Sequence, residues 1–284
     1  MNPVQQNRMR MLNQQISNLP PDVRAGIVSA GLDDARSVLP TPMYSSIRFE
    51  ATVAVNAGVS TYTFAPTPRK AFQYSIGSTA FVAGFAAGFT AAPCDTNLLR
   101  PGETLDNSDC WIWGMAAELT SGSGATSTDP KVVQDIWRDC DLQLSLNGTT
   151  SIRIGTLGMY PCAGSLYGRG SSAMVRPTLG NTGFGDGGPG QLVGPINNGN
   201  PLAGNFRRFP QPFKWAAVGN GGSDSSLSVI ATLQNTLTYT ATARAAVGVA
   251  PALTVEAYTP PEALIVDVRF QLICVNVSKR SVNT

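Results

Sequence analysis

In a chain of 284 residues only 13 % are charged, and 20 basic side chains against 18 acidic ones leave a net charge of +2. Soluble domains usually carry ~25 % charged residues, so a free monomer would have a thinly protected surface, and cover by neighbouring copies is expected. Near-neutrality gives no reason to expect a chain-wide attraction to nucleic acid, and the lack of any histidine removes Ser-His-Asp and Cys-His catalysis together with the commonest transition-metal ligand. The expectation is therefore a protein that is not an enzyme and uses no cofactor.

Residues 1–43 read as an N-terminal helical arm. Met9, Leu12 and Ile16 recur three and four apart, and Pro21 with Asp22 suits the first turn of a second helix that Gly31 would stop. No acidic residue precedes Asp22, so Arg8 and Arg10 make the arm mildly basic. That suits phosphate head groups or DNA; the same spacing equally suits a helix packed on its own domain. The first fifteen residues hold no apolar run of the signal-peptide kind.

From residue 44 the period becomes two. "SSIRFEATVAV" sets Ile47, Phe49, Ala51, Val53 and Val55 on one face. "STYTFAP" and "KAFQYSIG" read as the next strands. "STAFVAGFAAGFTAAP" is too short to span a bilayer, so Gly84 and Gly88 belong to a strand or loop. "GETLDNSDCW" gathers Glu103, Asp106 and Asp109, which fits a solvated turn, with oxygen ligation of calcium as the alternative. "DCWIWGMAAELT" is a strand with Trp111 and Trp113 on one side, and "DPKVVQDIW" carries a helix start and an apolar face of Val133, Ile136 and Trp137. "DLQLSLNG" and "TSIRIGTLG" flank Asn147-Gly148, a hairpin turn signal. "SLSVIATLQ", "TLTYTATARAAV" and "ALIVDVRFQLICVNVS" bring the expected count to nine or ten strands.

Residues 156–205 break the pattern: they hold thirteen glycines and no sustained alternation. Within them "GFGDGG" (183–188) fits G-x-G-x-x-G, but Pro189 and Pro195 forbid the helix that a dinucleotide cradle needs. Leu166, Tyr167, Phe184, Leu192 and Ile196 give this insertion apolar side chains to bury, so it reads as an excursion packed between subunits. Just after it, "FRRFPQPFKW" interleaves Phe206, Phe209, Phe213 and Trp215 with Arg207, Arg208 and Lys214. It suits an edge strand blocked by Pro210 and Pro212, or a stacking surface for single-stranded nucleic acid or a glycan. The five cysteines (94, 110, 140, 162 and 274) lack zinc-site spacing. Buried reduced thiols are expected, with a Cys94–Cys110 bridge as the alternative. Sequons stand at Asn147 and Asn276.

Strands with so few helices point to an all-β fold: a jelly-roll β-sandwich over residues 44–284 with a helical arm and a long Gly/Pro-rich insertion. The layout of "PCDTNLLRPGETLDNSDCWIWGMAAEL" (93–119) and "DLQLSLNGTTSIRIGTLGMYPCAGSLYG" (141–168) resembles that of jelly-roll major capsid proteins of tailless, icosahedral bacteriophages with an internal membrane. The resemblance implies a structural virion protein that self-assembles through trimers or capsomers into a shell. It would be made in the host cytoplasm, would meet other virion proteins, and would direct its N-terminal arm toward membrane or genome. A carbohydrate- or receptor-binding β-sandwich module, a spike or decoration protein with Trp111, Trp113, Trp215 and Tyr167 as platforms, is the alternative. The expected interface residues are Arg8, Arg10, Leu166, Tyr167, Phe184, Leu192, Ile196, Phe206, Arg207 and Arg208.

Overall fold

Alternation of apolar and polar side chains gives an extended segment one face to bury, and most of this chain answers to that pattern with antiparallel strands. The computed structural model describes residues 3–29, 35–39, 42–79, 84–85, 88–104, 108–120, 130–146, 150–160, 206–215, 226–243, 247–249, 253–255, 260 and 262–279. Two helices come first, α1 (Pro3–Ile16) and α2 (Pro21–Ser29), then β1 (Ala35–Leu39), β2 (Met43–Glu50), β3 (Thr52–Asn56), β4 (Val59–Phe64) and β5 (Arg69–Ala71). The middle of the chain forms β6 (Asp109–Thr120), α3 (Pro130–Asp139), β7 (Cys140–Leu146) and β8 (Thr150–Thr156). The last part forms β9 (Arg207–Trp215), β10 (Leu227–Leu233), β11 (Leu237–Thr242), β12 (Val247–Val249), β13 (Leu253–Val255) and β14 (Ile265–Lys279). The fold is all-β.

One sheet runs β1-β14-β6-β9, with β2 also on β14, and a second runs β5-β10-β7-β8. β1 and β2 occupy the same edge of β14 in succession: residues 276–279 of β14 pair with β1, and 265–272 with β2. Taking β2, β5, β6, β7, β8, β9, β10 and β14 in chain order, the first pairs with the last, the second with the seventh, the third with the sixth and the fourth with the fifth. Inward side chains of both sheets share one core, including Met43, Ile47, Phe49, Ile112, Val268, Phe270 and Leu272 from one and Leu142, Leu144, Leu227, Val229 and Ala231 from the other. The arrangement is sandwich-like. Helix α3 adds Val132, Val133 and Ile136 to this core, in line with its expected apolar face.

Two expected strands are corrected, and one further feature shapes the first sheet. The alternating run 47–55 is not one strand: it breaks at Ala51, whose N–H donates to Leu264 O at 3.0 Å. Ile47, Phe49 and Ala51 are buried, but every residue of β3 is exposed, Val55 at 72 %. β3 instead joins β4 and β11 in a separate sheet, order β11-β4-β3. The β3–β4 turn is two residues long, with Ala57 (φ 49°) and Gly58 (φ 78°) both left-handed, as a type I′ hairpin requires. The "KAFQYSIG" strand shortens to β5, because from Phe72 onward the backbone turns away from β10 and Phe72 itself has φ 65°.

The further feature is a bulge in β6. Its inward residues are Cys110 and Ile112, then Met115 and Ala117, so the parity flips at Trp113 and Gly114. Opposite this point the register with β9 jumps from Ile112↔Phe213 to Gly114↔Arg208. A Cβ on Gly114 would stand 2.4 Å from Phe206 Cδ2 and 2.9 Å from Arg207 O, so only glycine lets β9 approach here. Gly114→Ala is expected to force Phe206 and the start of β9 outward and to cost ~1–3 kcal/mol, read as a lower urea midpoint with unchanged slope.

Candidate assembly surface

The expected interface residues divide sharply. Leu166, Tyr167, Phe184, Leu192 and Ile196, with "GFGDGG", lie outside the described residues, and so does the Arg8 side chain. Arg10 is exposed on α1. Phe206 is half-buried in a second apolar cluster on the outer face of the first sheet, where Ile16, Leu19, Val23 and Ile27 of the helical segment meet Trp111, Trp113, Ile273, Val275 and Val277. The helices are therefore packed on the sheet through one apolar stripe, the packing-helix alternative of the sequence reading. Arg207 is half-buried with its guanidinium 5.1 Å from the Tyr160 ring centroid, and only Arg208 of the pair is exposed. Burial pushes the Tyr160 hydroxyl up to about 12, with Arg207 pulling the other way.

The three tryptophan platforms are not open. Trp215 is 1 % and Trp113 8 % exposed, and Trp111 is half-buried beneath α2. The "FRRFPQPFKW" segment is an edge strand, with Phe209 and Phe213 packed on the core. That is the edge-strand reading of the segment, and its stacking alternative loses its rings: Phe209 and Phe213 pack on the core and Phe206 in the outer cluster. Tyr167 lies outside the described residues.

The acidic turn is corrected too. Asp109 is 3 % exposed and its Oδ2 accepts from Lys214 Nζ at 2.8 Å across β6 and β9. Glu103 faces Arg100 at 3.5 Å, and Asp106 is outside the described residues. Among the described residues no group of three or more Cys, Asp or Glu is placed to hold a metal ion. Cys94 and Cys110 are both free thiols; Cys94 is exposed, while Cys110, Cys140 and Cys274 are buried. Burial, helped by the adjoining Cys274 thiol, drives the Cys110 pKa well up, and burial pushes Cys140 up to about 12. Thiols so protonated are poor nucleophiles. Asn276 is 6 % exposed, which closes that sequon to a glycan in the folded chain. No helix among the described residues is long and apolar enough to cross a membrane.

The densest polar constellation is one that sequence reading missed. Arg48 and Asp267 are direct partners in the β2–β14 register. Arg48 Nε and Nη2 donate to Asp267 Oδ1 and Oδ2 at 2.8 and 2.9 Å, and both residues are almost fully buried. Burial lowers the Arg48 pKa, but the hydrogen bond and charge of Asp267 outweigh it and leave the pKa raised. The guanidinium also lies 4.9 Å from the Phe85 centroid, and Phe85 stacks on Phe89 at 3.9 Å. Beside it the Tyr74 hydroxyl donates to Ser46 O and accepts from Ser46 N–H at 3.0 Å. Burial holds the Tyr74 pKa far above its ordinary value. These groups bond to one another and fasten Tyr74, Phe85 and Asp95 to β2.

Surface apolar side chains are a different matter. Val55 is 72 % exposed, Leu99 63 %, Met159 53 % and Ile152 50 %, on β3, the loop before β6, the turn after β8 and β8 itself. No local signal marks Val55 as exposed: the buried run ends at Ala51, whose N–H is bonded to Leu264 from the far end of the chain.

Asp267→Ala should strand the Arg48 charge and lower unfolding free energy by ~3–5 kcal/mol, whereas Arg48→Met with Asp267→Leu should recover most of that loss; chemical denaturation of the single and double variants measures both. No family model, no curated protein and no solved structure matches this chain.

Proposed function

We propose that this chain is the structural subunit of a virion, a jelly-roll major capsid protein that self-assembles into an icosahedral shell. The observation that carries the reading is the nested pairing of eight strands, first with last and inward to fourth with fifth, in sheets β2-β14-β6-β9 and β5-β10-β7-β8. Two interlocked Greek keys wound in this way make a jelly roll, a fold used by viral shells and also by lectins and cupins. Fold alone does not choose among these.

Four features of the chain favour the shell. The charged share of 13 % is what a subunit covered by neighbours tolerates. Large apolar side chains stand exposed at several separate places, including Val55, Ile152 and Met159, which suits several small contacts better than one ligand cleft. Cupin-type metal chemistry relies on histidine, and the chain has none. The glycan-binding alternative loses Trp111, Trp113 and Trp215 as stacking platforms. In this reading the helical N-terminal segment lines one face of the shell, with Arg10 outward toward membrane phosphate or genome, and other virion proteins complete the particle.

The test is the association state of the full chain. Sedimentation velocity and negative-stain microscopy over a hundredfold concentration range should show trimers, capsomers or particles growing with concentration. A chain that stays monomeric throughout overturns the proposal.

A further inference from the structure

We infer that β3 is a self-pairing edge: Thr52–Asn56 of one copy adds antiparallel to Thr52–Asn56 of a second copy about a two-fold axis through Ala54. The inference rests on the shell reading and specifies one of its contacts.

Hydrogen-bonding pattern comes first. The two-residue I′ turn closes on the Asn56↔Val59 pair, followed by Ala54↔Thr61 and Thr52↔Thr63. A turn of this type closes on a hydrogen-bonded pair, and such pairs alternate along an antiparallel ladder. Asn56, Ala54 and Thr52 therefore spend their backbone groups on β4, while the N–H and C=O of Val53 and Val55 point to the open edge. Two copies related by a two-fold at Ala54 place Val53 opposite the partner's Val55 and Val55 opposite the partner's Val53. Each pair then exchanges both backbone bonds, and Ala54 meets the partner's Ala54 as the close non-hydrogen-bonded pair. The strand is complementary to itself, as an isologous contact requires.

Side chains agree with the backbone. Val53 and Val55 share a sheet face with Tyr62 and Ser60, their cross-strand partners. Tyr62 is fully buried, but Val53 is 38 % and Val55 72 % exposed, so the apolar face overhangs the core. Pairing would join four valines into one patch between two Tyr62 rings. No charge opposes this, because Thr-Val-Ala-Val-Asn is neutral throughout.

Edges of the other two large sheets are guarded. β9 carries Pro210 and Pro212, which lack an N–H, and the exposed Arg208. The outer edge of β2 is already taken by the segment 95–97: Ser46 N–H donates to Asp95 O at 2.8 Å and Asn97 N–H to Tyr44 O at 3.3 Å. β5 is three residues long and holds Arg69 and Lys70, and β8 carries Arg153, exposed over 65 % of its side chain. Self-pairing at those edges sets like charges together; at β3 it does not. The contact would bury roughly 500 Å², below the ~1,000 Å² of a free-standing specific interface. It is thus a weak joint that gains strength from the other contacts of a shell.

The experiment uses the full chain with Cys94→Ser to remove the exposed thiol. Ala54→Cys in that background should form a 54–54 disulfide between copies under mild oxidation. The Cα separation of a close antiparallel pair, ~4.5 Å, falls within disulfide reach. Peptide mapping of the non-reduced dimer identifies the link. Val55→Lys, on a side chain already in solvent, should keep the far-UV spectrum and urea midpoint of the parent yet need at least about tenfold more protein to associate. Particles that form without the 54–54 link, with Val55→Lys assembling at the parental concentration, overturn this inference and leave the shell reading standing. A parent chain that never associates overturns both.

Discussion

The last strand of this protein has to find the first strand of its sandwich before the first sheet can close. β14 lies between β2 and β6, and its ion pair with Arg48 joins residues 219 positions apart. No local contact anticipates that meeting, so closure of a very long loop precedes any gain from it. Arg48 and Asp267 sit directly opposite one another, and this fixes the register. A slip by one residue would turn both charges away from each other and reverse every inward side chain of the strand. Cation–π contact with Phe85 and the Tyr74 bonds to Ser46 then carry the same lock out to the loop that covers the β2 edge.

Around Trp111 and Trp113 the first sheet is apolar on both faces, which explains the helices before it. Because β6 bulges at Trp113, its Trp111 and Trp113 project away from the main core while Cys110, Ile112, Met115 and Ala117 line it. An outer face bearing two tryptophans, Ile273, Val275 and Val277 would be a large exposed patch if left open. The stripe formed by Ile16, Val23 and Ile27 covers it. Helices of 14 and 9 residues are marginal on their own; the sheet holds them in place. The N-terminal segment is therefore part of the packed body as far as it is described, whatever else its basic side chains meet.

Charge and edges belong together in this protein. With few ionised side chains to keep copies apart, control over association falls on the strand edges: proline and arginine on β9, loop cover on β2, shortness in β5. β3 is neutral, free of proline and apolar where it overhangs.

Much of the fold was legible beforehand, because period-two alternation reports burial on one face directly. β6, β7, β8, β10 and β14 fall where alternation places them, and α3 where a helix start and a 3.6-residue stripe coincide. The candidate surface was harder to see. Ile47 through Val55 satisfy one alternating pattern, yet whether Val53 and Val55 are buried depends on what lies above them, and the break at Ala51 is set by a bond to Leu264 from the far end of the chain. Arg48 looked like the polar side of a strand because nothing local marks Asp267 as its partner. The Trp111 and Trp113 rings were rightly placed on one face, but only packing revealed that the face meets helices and not a ligand. Sequence by itself settled the all-β class, the absence of histidine chemistry and the low charge, since these depend on composition and short-range periodicity. Tertiary structure decided which strands are neighbours, which apolar residues stay in water and which charges are buried, since each of those depends on contacts between residues far apart in the chain.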